Sequence, residues 1–256
     1  MLAVNIMGLV LATAASVSAV PVVEHRLNST KWTPEHILQQ GEVILFGNGR
    51  MEVVHESVYH NLMAAQGHSL SAPETEIFPV GSAEHNRTVH ARDDCDLTTA
   101  VITDKTQTFV DWDVQMSPVV IGSGTTGMDV SVMSGYTVSN SVSVSAGLDI
   151  SLIKDKLGGS LGIDYTRTWT TQTAVTVKGT VADGYSGVMI TKPIKTRKTG
   201  RVLKGCLGSQ TEDGTFSADS LEDGSYAGVK WISGAITMCS KKEFPLSRCS
   251  GSGNFV

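Results

Sequence analysis

The stretch 137-TVSNSVSVSAGLDISL-152 alternates apolar and polar residues almost without a slip. A period of two held this long predicts a β-strand with one apolar and one hydroxyl-rich face. The pattern reaches back to residue 130. Val130, Val132, Tyr136, Val138, Val142, Val144, Ala146, Leu148, Ile150 and Leu152 fall on even positions, and Met133 is the one apolar residue at the odd positions between them. The return limb, 157–181, keeps the period with the parity exchanged: Leu157, Leu161, Ile163, Tyr165, Trp169, Val175, Val177 and Val181 share one face. Between the limbs, 153-IKDKLGG-159 is charged and glycine-rich and predicts a turn. The expectation is one long amphipathic antiparallel hairpin over 130–181. At ~3.3 Å per residue such a limb would reach roughly 75 Å, far beyond the usual strand of about 5–6 residues. Asn140 and Gly147 mark the places for a bend or bulge.

Outside the hairpin the chain divides chemically. Residues 20–92 hold all seven histidines and no cysteine; residues 93–256 hold all four cysteines and no histidine. The first region carries helix signals. Thr33-Pro34-Glu35 supplies an N-cap, a first-turn proline and an early acid, with Gly41 as a stop; Val54, Val58 and Leu62 recur at helical spacing before Gly67. A small helical N-terminal segment is therefore expected, followed by the linker 69-SLSAPETEIFPVGSAEHNRTVHAR-92. Arg92 is either part of an ordinary linker or a processing point that releases 93–256. From Asp93 onward the pattern is strand, with Val110, Trp112, Val114 and Met116 alternating with Asp111, Asp113 and Gln115. The fold class expected is mostly β, with long antiparallel strands in an elongated sheet or sandwich.

The N-terminus, MLAVNIMGLVLATAASVSAVP, has an apolar run too short to span a bilayer and then Val17-Ser18-Ala19, the small residues of a signal-peptidase site. Residues 1–19 read as a signal peptide and the protein as secreted. An exported compartment favours disulfides for Cys95, Cys206, Cys239 and Cys249, and the absence of a C-x-x-C spacing counts against zinc. Three connectivities exist; the short loop favours Cys239 with Cys249, leaving Cys95 with Cys206. Asn28 and Asn86 stand in glycosylation sequons. A net charge of −5 gives no global basic character for nucleic acid.

Several motifs resemble catalytic ones but lack their context. Gly122-Ser-Gly124-Thr-Thr-Gly127 fits a dinucleotide fingerprint, yet a strand-like sequence follows where the phosphate-binding helix should start. Gly158-Gly159-Ser160-Leu161-Gly162 fits a nucleophile elbow, but no histidine follows His90 to act as base; a hairpin tip is expected there. His55, His60 and His68 have no H-x-x-x-H spacing and read as surface groups. Asp111 and Asp113 read as solvated acids. No enzyme, metal or cofactor is expected. One asymmetry remains: Lys192, Lys195, Arg197, Lys198, Arg201 and Lys204 occur without an intervening acid, while 211–224 is acidic. These bases either guard an exposed sheet edge or meet an anionic membrane surface.

The order VSNSVSVSAGLDISL, then GGSLGIDYTRTWTTQTAVTVKGTVADGYSGVMIT, resembles the pore-forming module of aerolysin-type β-pore-forming proteins. Tyr165-Thr-Arg-Thr-Trp169-Thr-Thr-Gln-Thr and Asp183-Gly184-Tyr-Ser-Gly187-Val188 fall where that pattern places its threonine-laden strand and following turn. The similarity spans about 130–191. It implies a soluble protein whose hairpin detaches, joins those of other copies and closes a transmembrane barrel. Val142, Val144, Ala146, Leu148, Ile150 and Leu152 would then face lipid, with Leu157, Leu161, Ile163 and Tyr165 on the return limb. Lys154, Asp155 and Lys156 at the tip depart from the pattern, because charge is costly in hydrocarbon. The implied partners are a membrane surface or host cell-surface receptor and further copies of the chain. The alternative is a secreted, non-enzymatic binding protein or fungal-style effector in which the hairpin is architecture.

Overall fold

The computed structural model describes residues 29–73, 95–172 and 177–256. The leader, Asn28, Asn86, His85, His90, Arg92 and Val175 lie outside the described residues. Half of the described chain is strand and 11% helix, so the protein is mostly β with a large antiparallel sheet. In chain order come β1 (Thr30–Lys31), β2 (Ile37–Leu38), β3 (Glu42–Gly47), β4 (Arg50–His55) and helix α1 (Glu56–Ala65). Then follow β5 (Thr98–Val110), β6 (Val114–Gln115), β7 (Val120–Ile121), β8 (Met128–Ser131), β9 (Thr137–Ser139), β10 (Ser141–Val144) and helix α2 (Ile150–Leu161). The remainder is β11 (Thr168–Thr170), β12 (Lys178–Val181), β13 (Ser186–Gly205), β14 (Thr211–Leu221), β15 (Asp223–Tyr226), β16 (Val229–Ile232) and β17 (Gly234–Lys241).

The sheet is organised around β13. This 20-residue strand spans roughly 65 Å at ~3.3 Å per residue. Its first part, Ser186 to Pro193, pairs with β17 and, on its other edge, with β6 and β7. Its second part, Ile194 to Gly205, runs between β5 and β14, and β10 extends that half beyond β14. At Gly200 the β5 register shifts, and a Cβ there would sit 1.9 Å from the Ile102 carbonyl oxygen, so only glycine admits the close approach. The longest strand is thus 186–205, carrying the basic residues, and not the alternating stretch 130–152.

Two expectations for the N-terminal region diverge. Thr33-Pro34-Glu35 makes a turn, with His36 N donating to Thr33 O, and Ile37–Leu38 then pairs in parallel with β12. A segment of so few residues cannot offset the cost of helix nucleation, whereas burial of Leu38 in the main core favours the strand. The second helix forms as α1. It buries Tyr59 and Met63 against the sheet and is followed by Gly67 at φ 73°. Strand β3 joins β17 directly (Ile236↔Ile44), so the described part of 20–92 and the cysteine-bearing region share one sheet.

Among the described residues the buried apolar side chains form four clusters. The largest lies on one face of the first half of the sheet and includes Trp32, Ile44, Met189, Trp231 and Ile236. A second, separate cluster lies under α2, with Val142, Ile153, Leu157, Tyr165, Val202, Phe216 and Ala218. A third lies beneath α1, and a fourth surrounds Cys239.

Candidate functional site

The expected long hairpin is half present. Its base is antiparallel as expected, with Val181 facing Met128 and Trp169 facing Val138. Its middle and tip differ. The strand breaks at Asn140, one of the two even positions between 130 and 152 that are not apolar. Asn140 is buried, and its amide donates to Asp164 O at 2.7 Å while its carbonyl accepts from Leu221 N at 2.8 Å. That clasp sends β10 away from the return limb and onto the edge of the sheet, where Val142 faces Ala218 and Val144 faces Phe216. Gly147 then turns the chain at φ 93°.

The tip is α2, not a turn. The Asp149 carboxylate caps it, accepting from Ser151 N and Leu152 N, and Gly162 ends it in the left-handed region at φ 67°. Ile150, Ile153, Leu157 and Leu161 recur at helical spacing, which the strict alternation on either side conceals. Gly158 and Gly159 lie inside the helix, where each costs roughly 1 kcal/mol relative to alanine. The helix therefore depends on docking, and its buried anchors are Ile153 and Leu157.

Of the ten residues expected on the apolar face, Val142, Leu157 and Tyr165 are buried, and Val144, Leu148, Leu161 and Ile163 are half-buried in the same second cluster. Ala146, Ile150 and Leu152 are exposed. Lys154, Asp155 and Lys156 belong to α2 itself. Burial raises the Tyr165 phenol, whose oxygen has no hydrogen-bond partner.

The basic residues lie on an internal strand, not a sheet edge, and most are neutralised. Arg197 makes a two-pronged contact with Asp219 at 2.7 and 2.8 Å, and Lys195 pairs with Asp111 and Asp219. Arg201 meets Asp104 across β5, and Lys192 meets Glu56 at 2.7 Å. The hydrogen bond from Lys192 holds the Glu56 carboxyl below its usual range. Lys198 reaches only the Thr106 hydroxyl, and Lys204 has no carboxylate partner among the described residues. These pairs, Lys192 on one face of β13 and Lys195, Arg197 and Arg201 on the other, hold the sheet more than they present a positive surface.

The catalytic look-alikes resolve structurally. Gly122 to Gly127 joins β7 to β8, with strand after the glycines as expected. Ser160 lies in the last turn of α2, its hydroxyl donating to Leu157 O, so the G-x-S-x-G residues end a helix instead of preceding one. Among the three spaced histidines, His55 accepts from Ser57 N at the start of α1, His60 lies near Glu56, and His68 follows the helix. Asp111 is half-buried and paired with Lys195, and Asp113 is not solvated at all. Asp113 is buried and accepts from Cys249 N and Ser250 N, both at 2.8 Å, with Arg248 beside it. Its pairing with the C-terminal loop is tertiary and leaves no mark in the local sequence.

Cys95 bonds Cys206 and Cys239 bonds Cys249, with Cα separations of 5.7 and 5.8 Å. This is the connectivity favoured by loop length, and two such bonds fit an extracellular protein. Asp113, Cys239 and Cys249 also cluster as metal-type ligands, but the disulfide takes both thiols. Comparison with models of known protein families, with characterised proteins and with solved structures found no match.

Proposed function

We propose that this is a secreted, non-enzymatic, membrane-active protein whose segment 140–165 leaves the sheet to form an amphipathic hairpin with those of other copies. The carrying observation is the mismatch between pattern and fold in that segment. Its residues alternate as a barrel strand requires, yet here they form a short edge strand and a glycine-weakened helix on a small core of their own. Detaching β10 and α2 would leave the largest cluster and the pairing of β13 with β17 intact. The released strands would satisfy their backbone only in a closed barrel, which requires several copies. The resemblance to aerolysin-type proteins supports this reading, and the disulfides support secretion. A lipid or cell-surface receptor would be the partner.

A second reading has its own observation. Lys154, Asp155 and Lys156 would have to cross hydrocarbon at the tip, at a few kcal/mol each, whereas on α2 they are ordinary helix residues. In that reading the protein is a secreted effector or binding protein and the segment is architecture. Dye release from liposomes by the purified secreted chain, with electron microscopy of the same mixture, distinguishes the two. Release with ring-shaped particles supports the first reading; intact liposomes across anionic, neutral and sterol-containing compositions support the second.

A further inference from the structure

Strand β5 is an outer edge of the sheet. It pairs with β13 alone, apart from a parallel bridge between Ser69 and Phe109 near its end. There Ser69 N donates to Thr108 O and Val110 N donates to Ser69 O, so even-numbered residues turn their backbone groups outward. Lys105 faces Thr199 and Thr103 faces Gly200, which leaves Asp104 as an extra residue and exchanges the parity before it. The close approach of the Ile102 carbonyl to Gly200 agrees. Thr98, Ala100 and Ile102 therefore bond to β13. Thr99, Val101 and Thr103 point N–H and C=O outward, with no partner among the described residues. Open edges are ordinarily blunted by charge, proline or a bulge. Asp104 and Lys105 supply such devices, but 97-LTTAVIT-103 has no charge, proline or glycine and is rich in β-branched residues. Leu97 is 70% exposed and Ile102 38%. The linker 69–92, with two prolines and no period of two, is a poor match for this edge. The edge matches itself. In an antiparallel pair centred on Ala100, Leu97 of one copy meets Thr103 of the other and Thr99 meets Val101. All seven residues then pair through about eight hydrogen bonds, with the small Ala100 at the closest crossing.

We propose that two copies of this chain pair through residues 97–103 of the β5 edge, joining their sheets across a two-fold axis at Ala100. The dimer leaves β10 at the outer edge, so this inference does not rest on the membrane reading. Sedimentation of the full chain over ~1–100 μM should show a reversible monomer–dimer equilibrium. Over the same range, amide exchange at Thr99, Val101 and Thr103 should slow as concentration rises, while Ala100 and Ile102, bonded to β13, stay constant. Ala100 lies opposite Leu203 on the face away from the second cluster, to which Val101 belongs. Ala100→Lys or Ala100→Glu would set like charges against each other at the axis and weaken the dimer about tenfold or more, with the melting curve of the monomer unchanged. An equal mixture of the two variants should dimerise again, which misfolding of either could not produce. A monomer at every concentration would overturn the proposal, as would charged variants that dimerise like the parent or a mixture that stays monomeric. So would outward amides already protected in the monomer, which would assign the edge to a segment of the same chain, or assemblies longer than a dimer, which would mean a head-to-tail contact.

Discussion

Replacing Gly159 with alanine tests how α2 is held. Gly159 is exposed in the helix interior, and an added Cβ meets nothing within 4 Å. The substitution touches neither the buried anchors Ile153 and Leu157 nor any residue proposed to face lipid. Its effect is therefore close to the intrinsic glycine-to-alanine difference, about 1 kcal/mol in favour of the helix. If β10 and α2 open as a unit while β13 and β17 stay paired, that energy belongs to the local opening. Native-state hydrogen exchange should then show amides of Lys154 to Leu161 slowed roughly fivefold, with those of Val188 to Thr191 unchanged. If dye release requires the same opening, its rate should fall by a similar factor. Equal slowing in α2 and in β13 would show that the helix opens only with the whole protein. Faster release from the variant would refute the link between opening and activity.

Three further outcomes follow from other parts of the molecule. Burial raises the Tyr59 phenol far above the free value of 10.0. The folded state thus keeps a proton that the unfolded state loses, so stability is whole below pH 10 and declines as pH rises beyond it; Tyr59→Phe should shallow that decline in a melting series. Asp113→Ala removes the acceptor for Cys249 N and Ser250 N and should cost about 1–3 kcal/mol, a fall of roughly 2–4 °C in Tm for each; an unchanged Tm would mean that the C-terminal loop is held by its disulfide alone. The fragment 93–256 lacks β3, β4 and α1 and would expose Ile236 and Ala235, so it should fail to fold alone; a cooperative melt from the fragment would show the first region to be dispensable.

How legible the fold was depends on whether the determinants were local. The base of the hairpin was readable because β8, β9, β11 and β12 obey the period-two rule and pair across a single chain reversal. The cysteine pairing followed from loop length. Helix α2 was readable in principle, since Asp149 and Gly162 are cap residues and Ile150, Ile153, Leu157 and Leu161 keep helical spacing. The neighbouring alternation masked it, because Ile150, Leu152, Leu157 and Leu161 also satisfy the strand pattern. The role of β13 was hidden: Pro193, Gly200 and six basic residues argue against a central strand, and only distant acids on β5, β14 and α1 make it tolerable. The burial of Asp113 likewise arises from residues far apart in sequence.

The central claim is that segment 140–165 must leave the sheet, and a reversible lock tests it most directly. Ser143 faces Ser217 across β10 and β14. Ser145 N donates to Thr215 O two residues along, so Ser143 and Ser217 form a hydrogen-bonded pair, with Cα atoms about 5.5 Å apart and within disulfide range. Cysteines at both positions leave the apolar cluster on the other face untouched and should add at most roughly 4 kcal/mol of stability by loop closure. Dye release from liposomes is then measured on the oxidised and mildly reduced variant, with the parent protein under the same reductant as control. Release lost on oxidation and regained on reduction, with membrane binding unchanged, is the predicted result; full release by the locked protein would contradict it.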